Sequence, residues 1–335
     1  MNIKQVAARA KVSTATVSRT INQSVLVSPE TSKKVWGAIR ELGYYPNTQA
    51  RALVSGKSRI FGLIISDITN PFFPELVKSF EYAAIQHNYE VIVANTDYNM
   101  DRMAVCVRRM IERQVDGVAV MTSEIDGKLI DELSRRRLPI VFLDFGTIKP
   151  SMSNIVVDYS RGIKEAVNHL VSLGHRRFGF ISGPLSLMSA KVRRTAVLEH
   201  LRACGISGRQ LTVVEGNHKI DGGEIAMRQI LATAHPTAVI ASNDLTAVGA
   251  LRPIYQAGLS VPYDISLVGF DDIELSQFTH PALTTVRLSR EEIGRKAFDA
   301  LYSAIEDGGK SGREIHATTR LVVRESTAKA KTKSK

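Results

Sequence analysis

The sequence has little of what marks a secreted, membrane-bound or metal-holding protein. It contains two cysteines, Cys106 and Cys204, which lie far apart in the chain. Isolated thiols in a reducing cytosol are therefore favoured over a disulfide or a metal site. No apolar run approaches the about 18 residues of a membrane span, and the first residues lack the apolar stretch of a signal peptide. These absences predict a cytoplasmic protein without a membrane partner.

Catalytic motifs are missing as well. The chain has no GxGxxG, phosphate-binding loop, HExxH or GxSxG pattern. Its eight histidines are scattered without the spacing of metal ligands. Asp271 and Asp272 are adjacent on a predicted strand, so their side chains would point to opposite faces and would not form an acid–base pair. We therefore predict neither enzymatic activity nor a cofactor.

The positive charge of the chain is concentrated at its two ends. Residues 1–60 contain ten basic and two acidic residues, and the last eight residues contain four lysines. The 267 residues between them therefore carry only −1 of the net charge of +11. This distribution predicts a small nucleic-acid-binding module attached to a neutral core. A length of 335 residues also predicts two or three domains.

The first 22 residues have the pattern of two short helices joined by a tight turn. Asn2 and Gln5 have the spacing of a capping box, and Ser13 is a good N-cap for the second helix. Val17 and Ile21 would anchor that helix, which leaves a small polar face that a DNA major groove can admit. A helical hairpin packed on another part of the protein is the alternative. The predicted DNA-contacting residues are Thr14, Ala15, Thr16, Ser18, Arg19 and Asn22.

A third helix should begin at Ser28 and Pro29 and end at Gly43. The segments VAARAKVSTATVSRTIN, VSPETSKKV, ELGYYPN and ARAL then follow one another in order from the start of the chain. In these segments the chain resembles the LacI/GalR (lactose-repressor) family of bacterial transcription regulators. The resemblance extends to about residue 325. It implies a regulator, in its simplest form a repressor, that binds a pseudo-palindromic double-stranded operator as a homodimer.

A short segment at 47–59 separates the basic module from the rest of the chain. Its helical part is too short to be stable alone in water. In the resembled family this segment is a hinge helix in the minor groove, where an apolar side chain wedged between base steps kinks DNA. A plain connector is the alternative. The resemblance assigns the hinge contacts to Asn47, Ala50, Arg51 and Leu53, with Leu53 as the wedge.

From residue 60 onward, apolar strands alternate with helices in two successive series. This pattern predicts parallel sheets covered on both faces, arranged as two lobes with a cleft between them. The resemblance implies a periplasmic-binding-protein-like α/β fold in which the chain crosses between lobes near Asp158, Ser289 and Thr318. The predicted divisions are a helix-turn-helix headpiece at 1–46, the hinge at 47–59, a two-lobed domain at 60–327 and a disordered basic tail at 328–335. Lobe 1 would contain about 60–158 and 289–318, and lobe 2 about 159–288 and 319–327.

Polar and aromatic residues at the ends of the predicted strands are candidates for a ligand site, because open parallel sheets bind ligands there. Carboxylates can accept hydrogen bonds from hydroxyl groups, and an arginine makes directional forked bonds. Three alternatives stay open. Asp144 and Asp271 could only cap loops, and Asp244 could cap the next helix. Either Arg193 or its neighbour Arg194 could be the arginine that faces the cleft. Positions that contact the effector in the resembled family match Phe72, Phe73, Asp144, Arg193, Asn243 and Asp271.

Together these observations predict a DNA-binding regulator whose operator affinity depends on a small effector held between two lobes. A sugar or sugar derivative is the expected effector, and a nucleobase acting as corepressor is the alternative. A transport binding protein would share the two-lobed core, but that interpretation leaves the basic first sixty residues without a role.

Overall fold

The computed structural model describes residues 1–21, 26–45, 56–122, 127–136, 138–144, 148–310 and 312–331. The chain forms two compact units, Met1–Arg59 and Ile60–Lys335. We call the first unit the headpiece and the second the core unit. Five predicted DNA contacts, together with the hinge helix, lie outside the described residues: Asn22, Asn47, Ala50, Arg51 and Leu53.

The headpiece contains helices α1 (Ile3–Ala10), α2 (Thr14–Ile21) and α3 (Pro29–Leu42). Their starting signals are those the sequence predicts. Asn2 and Gln5 form the capping box, and the Ser28 side chain accepts a hydrogen bond at the start of α3. The three helices bury a small shared core: Val6, Ala7, Ala10, Val17, Ile21, Val35, Ala38 and Ile39. This core places α2 as a separate, capped helix on the surface of the headpiece.

The core unit alternates strands and helices along the chain. In lobe 1 and up to the first crossing the elements are β1 (Ile60–Ile65), α4 (Phe72–Gln86), β2 (Glu90–Asn95), α5 (Met100–Glu112), β3 (Gly117–Met121), α6 (Gly127–Arg135), β4 (Ile140–Leu143) and β5 (Met152–Asp158). The elements that follow are α7 (Tyr159–Ser172), β6 (Phe178–Ser182), α8 (Met188–Ala203), β7 (Leu211–Glu215), α9 (Ile220–Thr233), β8 (Ala238–Ala241), α10 (Asp244–Gln256), β9 (Ser266–Asp271), β10 (Thr284–Leu288), α11 (Arg290–Glu306) and β11 (Glu314–Val322).

Strand β11 joins two halves of one continuous sheet. Among the described residues the strand order is β2-β1-β3-β4-β5-β11-β10-β9-β8-β6-β7. The first part of β11 runs parallel to β5, with Thr318 opposite Asp158, and the second part runs antiparallel to β10, with Thr319 opposite Leu288. We call the half from β2 to β5 lobe 1 and the half from β10 to β7 lobe 2. Helix α11 packs on lobe 1, so the chain changes lobe after β5, after β10 and within β11.

Each lobe buries a set of apolar side chains on both faces of its sheet half. In lobe 1 the inward strands contribute Phe61 and Leu63, which lie under helices α4 and α11. In lobe 2 the strands contribute Ile181 and Leu267, which lie under α9 and α10. Because both faces are covered, the open positions for ligands are the carboxyl ends of the strands. Within the described ranges, no helix has both the length and the apolar character needed to cross a membrane.

The prediction of a disordered tail from residue 328 is wrong for Ala328 to Lys331. The Ala328 carbonyl accepts a hydrogen bond from the ring of His175, and its amide donates to the Ser266 hydroxyl at 3.0 Å. Lys331 forms an ion pair with Asp264, which lowers the pKa of that carboxyl to about 2. The segment has no large apolar side chain, so its order comes from hydrogen bonds and an ion pair with distant residues, which composition does not reveal.

Candidate DNA interface and effector cleft

Helix α2 presents a polar face on the surface of the headpiece. Its buried side is formed by Val17, Thr20 and Ile21. On the opposite side Thr14, Ala15 and Arg19 are exposed, whereas Thr16 and Ser18 are half-buried. The sequence predicts DNA contacts at all five of these positions, both the exposed and the half-buried ones.

The start of α2 uses part of that polar face. The Ser13 hydroxyl lies 2.9 Å from the Thr16 hydroxyl and accepts a hydrogen bond from the Thr16 amide at 3.1 Å. This N-cap gives an acceptor to one of the first-turn amides, which have no partner within the helix. The Thr16 hydroxyl is therefore already engaged within the headpiece.

The acidic residues of the headpiece are paired within the unit. Glu41 forms an ion pair with Arg9 at 2.7 Å, and Glu30 forms one with Lys34 at 2.8 Å. The remaining exposed cations include Lys4, Lys11 and Arg19. A surface with excess positive charge attracts phosphate groups, and its attraction weakens as salt increases. The electrostatics of the headpiece therefore suit binding to a nucleic acid backbone.

The core unit has a cleft at the carboxyl ends of its strands. The cleft contains about 620 Å³ of space, part of it open to solvent. Side chains from both lobes line it, including all six predicted effector-binding residues: Phe72, Phe73, Asp144, Arg193, Asn243 and Asp271. The structure therefore brings together residues that lie up to two hundred positions apart in the sequence.

A buried ion pair lies on the lobe 2 side of the cleft. Arg193 on α8 donates to the Asp271 carboxylate at 3.3 Å and to the Ser242 carbonyl at 2.7 Å. Its guanidinium lies over the Phe270 ring, 4.0 Å from the ring centroid. Burial raises the pKa of Asp271 to about 6, although the charges of Arg193 and Arg290 oppose that rise. The neighbouring Arg194 is less buried and does not line the cleft.

Asp144 forms the floor of the cleft on the lobe 1 side. Its carboxylate accepts hydrogen bonds from the Tyr159 hydroxyl and from the Val157 amide, the latter at 2.7 Å. Burial raises the pKa of Asp144, and these hydrogen bonds oppose the rise. Its backbone has a φ of 55°, in the left-handed region. Asp144 therefore lines the cleft and also bonds to the chain where it first changes lobe.

Asn243 has a mainly structural environment. It is the N-cap of α10, where its side-chain oxygen accepts a hydrogen bond from the Thr246 amide at 2.9 Å. Its side-chain nitrogen donates to the His218 carbonyl at 2.9 Å. The alternative that Asp244 caps this helix is wrong: Asp244 is buried and accepts a hydrogen bond from the Ile273 amide at 2.8 Å. Asn243 thus lines the cleft with both ends of its amide engaged.

Two aromatic rings from the start of α4 form the lobe 1 wall. Phe72 and Phe73 meet edge to face, with ring centroids 5.2 Å apart. Both rings are largely buried, and both line the cleft. Aromatic surfaces suit the apolar faces of sugar rings or the flat face of a base.

Tyr159 and His218, which lie beside Arg193, are among the cleft residues that the sequence analysis does not assign. Tyr159 lies between Asp144 and Arg193, with its ring 5.0 Å from the Arg193 guanidinium carbon. His218 is buried beside Arg193, and burial lowers its pKa to about 3, so the ring is neutral. Tyr159 directly follows β5 and His218 lies three residues after the end of β7, so the rule of strand ends could have found them.

The charges within the cleft determine what it can bind. Arg193 is already paired with Asp271, Asp144 adds a second carboxylate, and His218 is neutral. An anionic ligand would therefore have to compete with Asp271 for Arg193, the one cation among these groups. An ionised carboxylate can accept hydrogen bonds but cannot donate them. The two carboxylates therefore favour a ligand with several hydroxyl or amide donors.

Comparisons with known proteins agree with this architecture. A family described as "Bacterial regulatory proteins, lacI family" matches residues 2–47, and "Periplasmic binding protein-like domain" matches residues 167–327. The HTH-type transcriptional repressor PurR of Edwardsiella ictaluri is 35% identical over 97% of this chain and 96% of its own length.

Solved structures are similar over nearly the whole chain. The lac repressor dimer bound to operator and the anti-inducer ONPF has a TM-score of 0.87 at 29% identity, covering 98% of this chain and 99% of that one. The complex of the transcriptional regulator CelR with cellobiose has a TM-score of 0.72 at 29% identity, covering 97% and 99%. The chain therefore belongs to the lacI family of bacterial regulatory proteins and is a DNA-binding transcriptional regulator.

Proposed function

We propose that this regulator is a repressor that binds a pseudo-palindromic operator as a homodimer in the bacterial cytoplasm. We further propose that an uncharged polyhydroxyl compound, a sugar or sugar derivative, binds the cleft and controls operator affinity. The observation that carries this proposal is the Arg193–Asp271 pair. It presents a buried carboxylate to the cleft and neutralises the charge of Arg193, the arginine among the described residues that line the cleft.

The hydrogen-bonding groups of the cleft match a sugar better than an acid. Asp144 and Asp271 each have acceptor capacity beyond their protein partners. A hydroxyl group can donate to either carboxylate, whereas a ligand carboxylate or phosphate would be repelled by both. The rings of Phe72 and Phe73 can cover the apolar face of a sugar. A cellobiose complex among the similar structures supports the same class of effector.

A nucleobase is the second candidate, and two observations favour it. The chain is 35% identical to a repressor named PurR, and a planar base could stack on the aromatic wall. A base has fewer hydrogen-bond donors than a sugar, however, so it would use less of the acceptor capacity that the two carboxylates keep beyond their protein partners. The affinity of the cleft for nucleobases should therefore be lower than its affinity for a fitting sugar.

Exposed apolar side chains on both lobes support association with a second copy. Tyr82 and Ile85 on α4 are 70% and 60% exposed, and Ile225 on α9 and Phe278 are 57% and 74% exposed. Apolar patches left in water are typical of surfaces that another protein covers, and we propose that these side chains contribute to one. A twofold dimer would match a palindromic operator, with one α2 helix in each half-site. Phe278→Glu should weaken this dimer in sedimentation measurements.

A thermal-shift screen tests the effector class directly. The full chain is heated with neutral sugars, sugar acids, sugar phosphates and nucleobases, one compound at a time. We expect stabilisation by a neutral sugar, because a ligand that binds only the folded state raises the melting temperature. Any sugar acid or sugar phosphate that stabilises more strongly than its neutral parent contradicts the charge argument.

Variants then locate the site of the stabilising compound. Arg193→Ala and Asp271→Ala should each lose about 2 kcal/mol or more of affinity in calorimetric titration, because each leaves a buried polar partner unpaired. Arg194→Ala is the matched control, since this neighbour on the same helix does not line the cleft. Unchanged affinity in both cleft variants would place the binding site elsewhere.

A further inference from the structure

Arg290 lies at the second place where the chain changes lobe. It follows β10 of lobe 2 and is the first residue of α11, which packs on lobe 1, with Ser289 as the N-cap. Its side chain is only 13% exposed. A long charged side chain held at this depth next to a lobe crossing needs defined partners.

The Arg290 guanidinium has one partner in each lobe. Its Nε donates to the Glu75 carboxylate at 2.6 Å, and one of its terminal nitrogens donates to the Asp271 carbonyl. Glu75 belongs to α4 of lobe 1, three residues after Phe72, and Asp271 is the last residue of β9 in lobe 2. Arg290 therefore connects the aromatic wall of the cleft to the carboxylate on its opposite side.

The position of Arg290 makes these two bonds interdependent. A cation in the first turn of a helix is opposed by the helix dipole, so it needs a nearby anion, and Glu75 supplies one. The rigid guanidinium fork then fixes the direction of its remaining donors toward Asp271. If either lobe rotates about the crossing strands, one side chain can no longer reach both partners.

The backbone at Asp271 has a conformation that needs support. Asp271 and Asp272 have φ values of 106° and 57°, in the region that L-residues adopt at a cost. Arg290 holds the carbonyl of Asp271, while Arg287 and Arg324 pair with the side chain of Asp272. These bonds hold the turn so that the Asp271 carboxylate faces Arg193.

We propose that Arg290 is a positioning residue of the effector cleft. It holds Asp271 in the ligand-facing conformation and, through Glu75, makes that conformation depend on the relative position of the lobes. This inference rests on the effector site proposed above. Ligand binding at Asp271 would thereby shift the equilibrium between lobe arrangements, because a ligand acts through its different affinity for each arrangement.

The test measures lobe positions in the full chain without any ligand. Fluorophores are attached at Asp131→Cys on α6 and Arg202→Cys on α8, two exposed sites in different lobes, with Cys106 and Cys204 replaced by serine. Labelled protomers are mixed with excess unlabelled protein, and single-molecule energy transfer gives the distance distribution. Arg290→Gln and Glu75→Gln should each move the distribution in the same direction, and the double variant should move it no further than the larger single change.

Two further variants separate positioning from general damage. Arg290→Lys keeps the charge but not the fork, so it should retain the Glu75 pair and give a smaller shift than Arg290→Gln. Arg295→Gln, at an exposed position on the same helix, should leave the distribution unchanged. Hydrogen–deuterium exchange of the peptide covering residues 266–273 should increase in Arg290→Gln and not in Arg295→Gln.

Several results would overturn the inference. A wild-type distance distribution in a folded Arg290→Gln protein would show that the contacts of Arg290 with Glu75 and the Asp271 carbonyl do not set lobe positions. Additive shifts of the two single variants would show that Glu75 and Arg290 act separately, and equal shifts in Arg290→Gln and Arg295→Gln would indicate a general charge effect. Because no ligand is added, these results are independent of the sugar screen, so failure of one proposal does not mask the other.

Discussion

Replacement of Arg193 by methionine tests the central ion pair of the cleft most informatively. Methionine keeps much of the aliphatic stem that packs near Phe270 but removes the guanidinium. The change deletes the 3.3 Å contact to Asp271 and the 2.7 Å hydrogen bond to the Ser242 carbonyl. Asp271, which is 4% exposed, then loses its nearest cation.

The expected loss of stability depends on pH, because Asp271 becomes neutral when it takes up a proton and then no longer leaves a buried charge without a partner. Burial raises its folded-state pKa to about 6, from a usual value of 3.8. A raised carboxyl pKa gives stability that is complete below the unfolded pKa and is lost as pH rises through the folded pKa. In the wild type the free energy of unfolding therefore falls by about 3 kcal/mol between about pH 4 and pH 6. Above that range Asp271 is ionised in the folded state as well, and the fall stops.

Without Arg193 the pKa of Asp271 should rise further, so the loss should continue above pH 6. Near pH 5 the variant should lose about 1–2 kcal/mol, from the hydrogen bond and the cation–ring contact. With each further pH unit the stability deficit of the variant should grow by as much as about 1.4 kcal/mol. It should approach the value of about 3–5 kcal/mol that is expected when one partner of a buried pair is removed. The diagnostic window is therefore pH 6–8.

Urea unfolding of the full chain, followed by far-ultraviolet circular dichroism, measures this difference. Protomer concentration is held fixed, because dimerisation changes apparent stability. Arg193→Met combined with Asp271→Asn removes the titrating group, so the extra pH dependence should disappear. An equal deficit at pH 6 and pH 8 in the single variant, or a persistent slope in the double variant, would refute the reasoning.

Three other predictions concern the headpiece and the cleft. Lys11 has a φ of 55°; Lys11→Gly should therefore stabilise the headpiece by up to about 1 kcal/mol, as reported by the fluorescence of Trp36, the only tryptophan. Arg19→Ala should cost about 1–3 kcal/mol in operator affinity if Arg19 contacts a base edge, and an equal loss on random DNA would make it a phosphate contact. A Cβ on Gly183 would lie 1.6 Å from Nε2 of His218, so Gly183→Ala should displace that ring. Calorimetry should then show sugar binding weakened at least tenfold, while operator binding without ligand persists.

Local signals in the sequence predict much of the fold because they act over a few residues. Asn2 with Gln5, and Ser28 with Pro29, cap the helices that the sequence assigns to them. The apolar strands and the carboxylates that follow them, such as Asp144, also follow from pattern alone, since parallel strands place their ends at one edge. The family resemblance adds the order in which the lobes are joined.

Features that depend on distant partners were harder to predict. Helical spacing did not decide between Arg193 and Arg194, because their burial depends on Asp271 and Ser242 across the fold. The Asn243 amide is a predicted effector contact, and the sequence does not show that each of its ends also bonds to the protein. The segment from Ala328 to Lys331 has the composition of a disordered tail, yet it pairs with backbone that is distant in sequence.

The most direct test of effector-controlled DNA binding is a pair of linked affinity measurements on the full chain. The operator is first obtained by selection from random duplexes, and the sugar by the thermal-shift screen. Operator affinity is then measured with and without saturating sugar, and sugar affinity with and without saturating operator. Linkage requires both affinities to change by the same factor, and we expect that factor to be at least about fivefold. A sugar that binds the cleft but leaves operator affinity unchanged, or a chain beginning at Ile60 that binds the operator equally well, would contradict the account.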